Sequence, residues 1–114
     1  MAKALVTVVE TRHFVRACKG RLADRQREDV IDAVATDPEI GDLLEGTGGV
    51  RKLRVAARGK GKSGGARVVY YYYNDTIPVF MLTVFGKNEK DNLTKSERND
   101  LAKLVKSLRD AYGE

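Results

Sequence analysis

GTGGVRKLRVAARGKGKSGGARVVYYYY, residues 46–73, is the stretch on which the fold turns. After the GTGG turn, apolar Leu53, Val55 and Ala57 alternate with basic Lys52 and Arg54 at period two, which predicts a strand with one basic face. A glycine- and lysine-rich loop follows, and then ARVVYYYY predicts a second strand. Read as strand, basic loop and strand, the segment is a hairpin that brings the bases of residues 52–58 alongside Arg67.

One competing reading fails on its context. Ala56 to Ser63 spells AxxxxGKS, one residue away from a phosphate-binding loop. That loop needs a glycine at its first position and a helix after GKS, so that phosphate meets a helix N-terminus. Here Ala56 takes the glycine's place, and Gly64, Gly65 and the tyrosines follow.

The hairpin also dominates the charge. The chain has 114 residues and a net charge of +5. Residues 51–67 hold seven bases and no acid, leaving 14 of the 21 bases against all 16 acids elsewhere. So concentrated a patch favours polyanions, because each phosphate it neutralises releases condensed counterions.

Outward from the hairpin, IPVFMLTVF (77–85) is apolar on both faces, as a central strand is, and Pro78 stands near its start. The turn NDT separates it from the tyrosines. ALVTVV (4–9) predicts a first strand. Thr11 caps a short helix carrying Phe14, Val15 and Cys18, and a second helix runs from Asp24 to a stop at Asp37 and Pro38. Thr94 and Glu97 form a capping box for a closing helix with a stripe of Leu101, Leu104, Val105, Leu108 and Tyr112. The expected class is α+β, a small and mainly antiparallel sheet packed by two N-terminal helices and a C-terminal one, in a single domain over 1–114.

Other candidates for chemistry are sparse. Eight acids between Asp24 and Glu45 lack metal-ligand spacing and read as a solvated face. His13 has no second histidine to pair with, and Cys18 reads as a packed residue. Tyr70 and Tyr72 share one strand face and Tyr71 and Tyr73 the other, so one pair packs under helices and the other is free to stack on RNA bases. With one cysteine, no apolar run of spanning length and no signal peptide, the chain reads as soluble and cytoplasmic, with no membrane partner.

The G-K-G-K-x-G-G-x-R loop, the aromatic strand after it and F-G-K-N-E at 85–89 together resemble the HigB-like branch of the RelE superfamily. These are ribosome-dependent messenger-RNA interferases, the toxin halves of type II toxin–antitoxin pairs. The resemblance implies a microbial-ribonuclease-like fold with a basic concave face and an endoribonuclease that needs no metal or small-molecule cofactor. Its partners would be the ribosome with its message and an antitoxin carrying a DNA-binding domain.

Carried over by position, the family's catalytic places fall on Lys52, Arg54, Arg67 and Lys87. Better-studied relatives have an arginine where Asn88 stands and a tyrosine near Leu93 and Thr94. Attack by the RNA's own 2′-hydroxyl needs a base, charge stabilisation at phosphorus and an acid for the leaving oxygen. Arginine holds two phosphate oxygens at once, which suits Arg67. A lysine crowded by cations is pushed toward its neutral form, which leaves Lys52 and Lys87 as the candidate bases, with the general acid and base not identified further. Arg51, Arg58, Lys60 and Lys62, with Tyr70 and Tyr72, are the expected RNA-binding residues. Two alternatives stay open: an RNA- or ribosome-binding module without catalysis, and a gyrase poison of the sister ParE branch.

Overall fold

The computed structural model describes residues 5–56, 65–90 and 92–113. Strands β1 (Val8–Glu10), β2 (Asp42–Leu43), β3 (Val50–Val55), β4 (Ala66–Tyr71) and β5 (Val79–Gly86) form one sheet in the order β1-β5-β4-β3-β2. Helices α1 (Arg12–Cys18) and α2 (Asp24–Thr36) follow β1, and α3 (Lys95–Ala111) follows β5. Only β1 and β5 pair in parallel; the other three pairings are antiparallel. The architecture is the expected α+β one.

Helix boundaries follow local chemistry. Thr11 accepts from the Phe14 amide at 3.1 Å and donates to Met81 O at 2.8 Å, so one side chain starts α1 and fastens it to β5. The Thr94–Glu97 box is reciprocal, with Glu97 N to Thr94 Oγ1 at 3.1 Å and Thr94 N to Glu97 Oε1 at 2.8 Å. A cap of this kind stabilises a helix by about 1 kcal/mol.

Helices cover both faces of the sheet. On one, Phe14, Cys18, Val30 and Val34 pack on Val68, Tyr70, Val79 and Met81. On the other, Val105 of α3 packs with Val50, Val69, Tyr71, Phe80 and Phe85. The change of register at Val69/Tyr70 makes Leu82 an extra residue in β5. Phe80, Leu82 and Phe85 can therefore all join the α3 side, which strict alternation forbids.

Several elements depart from expectation. Among the described residues the first strand is confined to Val8–Glu10, which pair with Val79 to Met81 of β5, while Val6 N donates to Ala35 O at the end of α2; Ala4 of the expected strand lies outside the described residues. The edge strand β2 is too short to carry a periodic signal. Strand β4 ends at Tyr71, leaving Tyr72 and Tyr73 outside it. All eight acids between Asp24 and Glu45 are exposed, as a solvated face requires.

Candidate RNA-binding face

Period-two geometry puts Lys52 and Arg54 on the same side of β3 as Val50, and Arg67 on the same side of β4 as Val69 and Tyr71. That is the side α3 covers, and Arg54 is the direct cross-strand partner of Arg67. Arg67 in turn pairs with Phe85 of β5. Lys87 lies just past β5, exposed, with its amide donating to Gly65 O at 3.0 Å, which sets it beside the start of β4. Arg54, Arg67 and Lys87 thus lie toward one end of the three central strands, and Lys52 two residues further in along β3.

Arg67 is 8% exposed, and among the described residues its guanidinium bonds to its neighbour's carbonyl, with Nη1 3.4 Å from Ala66 O. Among the described residues neither it nor Lys52, Arg54 or Lys87 has an acidic partner. A buried cation without a counterion carries a large desolvation cost, which an incoming anion would offset. Lys52 Nζ donates to Asn92 Oδ1 at 2.5 Å, a contact no spacing in the sequence announces. Beside them, Lys90 sits 5.0 Å from the centre of the Phe85 ring and pairs with Glu97, so its charge is already engaged.

Other expected binding residues lie elsewhere. Arg51 alternates with Lys52 and donates to Gly41 O at 2.8 Å and Glu39 O at 3.3 Å, clamping the chain before β2. It is a structural residue, because period two turns it away from the basic face. Tyr70 is fully buried; its hydroxyl donates to Pro38 O and accepts from Gly41 N, both at 2.8 Å, so it offers no ring to a base. Burial also raises its phenol's pKa. Tyr72 packs against the same α1/α2 core and donates to Asp75 at 2.8 Å, on the face opposite Arg67. Burial withdraws the Tyr70 ring from stacking, and the half-buried Tyr72 turns to the side of the sheet that α1 and α2 cover. Arg58, Lys60 and Lys62 fall outside the described residues.

The remaining candidates are structural. His13 Nε2 lies 3.1 Å from Thr83 Oγ1, on an exposed part of α1. Cys18 is buried, and burial pushes its thiol up to about 11, far from a nucleophile's range. No cluster of three His, Cys, Asp or Glu able to hold a metal ion occurs among the described residues, and no helix there is long and apolar enough to cross a membrane.

A sheet with helices on both faces and, at one end, an arginine pair without an acidic partner among the described residues defines a small α+β protein suited to anionic ligands. The same fold is seen in an arginine-to-alanine double mutant of the E. coli toxin RelE in the free state, at a TM-score of 0.59 and 19% identity. That match covers 84% of this chain and 96% of the other. Residues 6–114 match the family described as RelE toxin of the RelE / RelB toxin-antitoxin system. The chain belongs to the RelE toxin family, the toxin side of a toxin–antitoxin pair in a class of ribosome-dependent messenger-RNA endoribonucleases.

Proposed function

We propose that this protein is a HigB-like toxin that cuts messenger RNA in the ribosomal A site, in the cytoplasm, and is held in check by an antitoxin bearing a DNA-binding domain. The observation that carries the reading is Arg67, a buried arginine with no acidic partner among the described residues, opposite a second arginine. Such a pair suits a phosphate that gains charge in the transition state.

In this scheme Lys52, steadied by Asn92, takes the proton of the 2′-hydroxyl, and Lys87 is the other candidate base. The 2′-oxygen bonds to phosphorus as the bond to the 5′-oxygen breaks, and the leaving oxygen takes up a proton from water, which the protonated lysine replaces when it returns to its neutral form. The products are a 2′,3′-cyclic phosphate and a 5′-hydroxyl. Arg67 stabilises the phosphoryl oxygens, and Arg54 holds the backbone beside them. Glu97, the carboxylate beside the basic face, is engaged by Lys90, so positioning of the message by the ribosome supplies much of the barrier reduction.

Mapping 5′ ends of a defined message, with and without translating ribosomes, tests the reading. Cuts restricted to the A site and lost in Arg67→Ala are expected. Ribosome binding without new ends would favour the non-catalytic module.

A further inference from the structure

The basic hairpin is not the only cationic surface. Residues 12–23 contain four bases and no acid, a run hidden in the totals by the acids of α2 and its tail. Arg21 is consumed by Glu89, with Nε to Oε1 at 2.6 Å and Nη2 to Oε2 at 2.7 Å. Arg12, Arg16 and Lys19 are all exposed and make no ion pair or side-chain hydrogen bond among the described residues. Arg12 and Arg16 stand four apart on α1 and Lys19 is the residue that caps its end, so the three follow one side of the helix within about 60° of its circumference, opposite the buried Phe14 and Cys18. Their helix packs on the sheet face away from Arg67.

We infer that this stripe on α1 is a second RNA-backbone contact, one that grips structured ribosomal RNA while the Arg54–Arg67 face holds the message. The inference rests on the ribosome being where the toxin acts. An RNA occupant is favoured over an acidic protein by the company the stripe keeps. Protein interfaces centre on apolar and aromatic side chains, whereas nucleic-acid interfaces are polar and strongly positive. The large apolar side chains exposed on this protein are Leu5, Ile40, Leu43, Tyr73, Leu104 and Tyr112, and none belongs to α1. Three unpaired cations with no apolar centre suit phosphates and give a protein partner little to bury.

Sedimentation of the intact toxin with purified, message-loaded ribosomes over a range of salt concentrations tests this. Three phosphate contacts contribute about two to three to the slope of log affinity against log salt. The triple variant Arg12→Gln/Arg16→Gln/Lys19→Gln is expected to lose that much slope, keep its melting temperature and cut at the wild-type rate at saturating ribosomes. Arg16→Gln alone, the milder change, is expected to lose about 0.7–0.9. Slopes equal to wild type in both variants overturn the inference. Equal slopes with weakened antitoxin binding overturn it in favour of an acidic protein partner. A shallower slope for a protein whose wild type cuts nothing upholds the stripe and removes the cleavage reading instead.

Discussion

Arg54 and Arg67 stand directly opposite one another across β3 and β4, two arginines on one sheet face with no acid paired to either among the described residues. Like charges in that relation destabilise a sheet by about 0.2–1 kcal/mol. Arg54→Gln is therefore expected to raise the melting temperature while weakening RNA binding. A fall in melting temperature would mean that Arg54 makes a stabilising contact and that the pair is not held against repulsion.

Arg67 itself separates charge from packing. Arg67→Ala is expected to lower ribosome-dependent cleavage by about 10²-fold, the usual scale for removing one donor aimed at a developing oxyanion. Arg67→Lys keeps the charge but loses two-point contact with phosphate, and is expected to recover only part of the rate. Single-turnover cleavage rates of the three proteins check this; full recovery by lysine would reduce Arg67 to a point charge.

Tyr70 offers the opposite pattern. Its hydroxyl joins Pro38 O and Gly41 N, and packing is so close that a Cβ on Gly41 would lie 2.9 Å from the ring. Tyr70→Phe leaves the Gly41 amide without its acceptor, at a cost of about 1–3 kcal/mol. Urea unfolding should show that loss, with cleavage per folded molecule unchanged. A cleavage defect without a stability defect would restore the tyrosine to RNA stacking.

These contrasts mark how far the sequence was readable. Alternation from Val50 to Val55 placed Lys52 and Arg54 together, and the hairpin brought Arg67 to them, because both follow from a period of two. The T-x-x-E box fixed the start of α3 for a similarly local reason. What stayed hidden was non-local. That Tyr70 and Tyr71 are both buried depends on helices covering both sheet faces. The alignment of Phe85 with Arg67 depends on the extra residue Leu82, and Asn92 reaches Lys52 across forty positions. The stripe on α1 was present in the letters but cancelled in the charge totals by the acids of α2.

Acid pH should unfasten one long-range tie. Hydrogen bonding from Arg21, with help from the Gly86 amide, lowers the Glu89 carboxyl from 4.5 to about 2. A lowered carboxylate pKa adds stability above the unfolded value and loses it as pH falls through the folded one, so the loss runs from about 4.5 to about 2. Both partners are partly exposed, at 34% and 41%, so the contribution is about 0.2–1 kcal/mol. Stability of wild type and Glu89→Gln measured from pH 6 to pH 2 should converge at the acid end. A constant difference would show that the carboxylate's charge is not what matters.

Asn92 supplies the most specific prediction about the proposed base. Its Oδ1 accepts from Lys52 Nζ at 2.5 Å and is neutral, so it can orient the lysine without adding a counter-charge. Asn92→Ala is expected to slow cleavage about tenfold, below the 10²-fold that a fully misplaced group can cost, with the melting temperature unchanged because the contact is exposed. Lys52→Ala is expected to slow cleavage further than Asn92→Ala, and the double variant to be no slower than Lys52→Ala alone, because Asn92 acts only through the lysine. If the two losses instead added in the double variant, Asn92 would not act through Lys52, and Lys87 would become the candidate base.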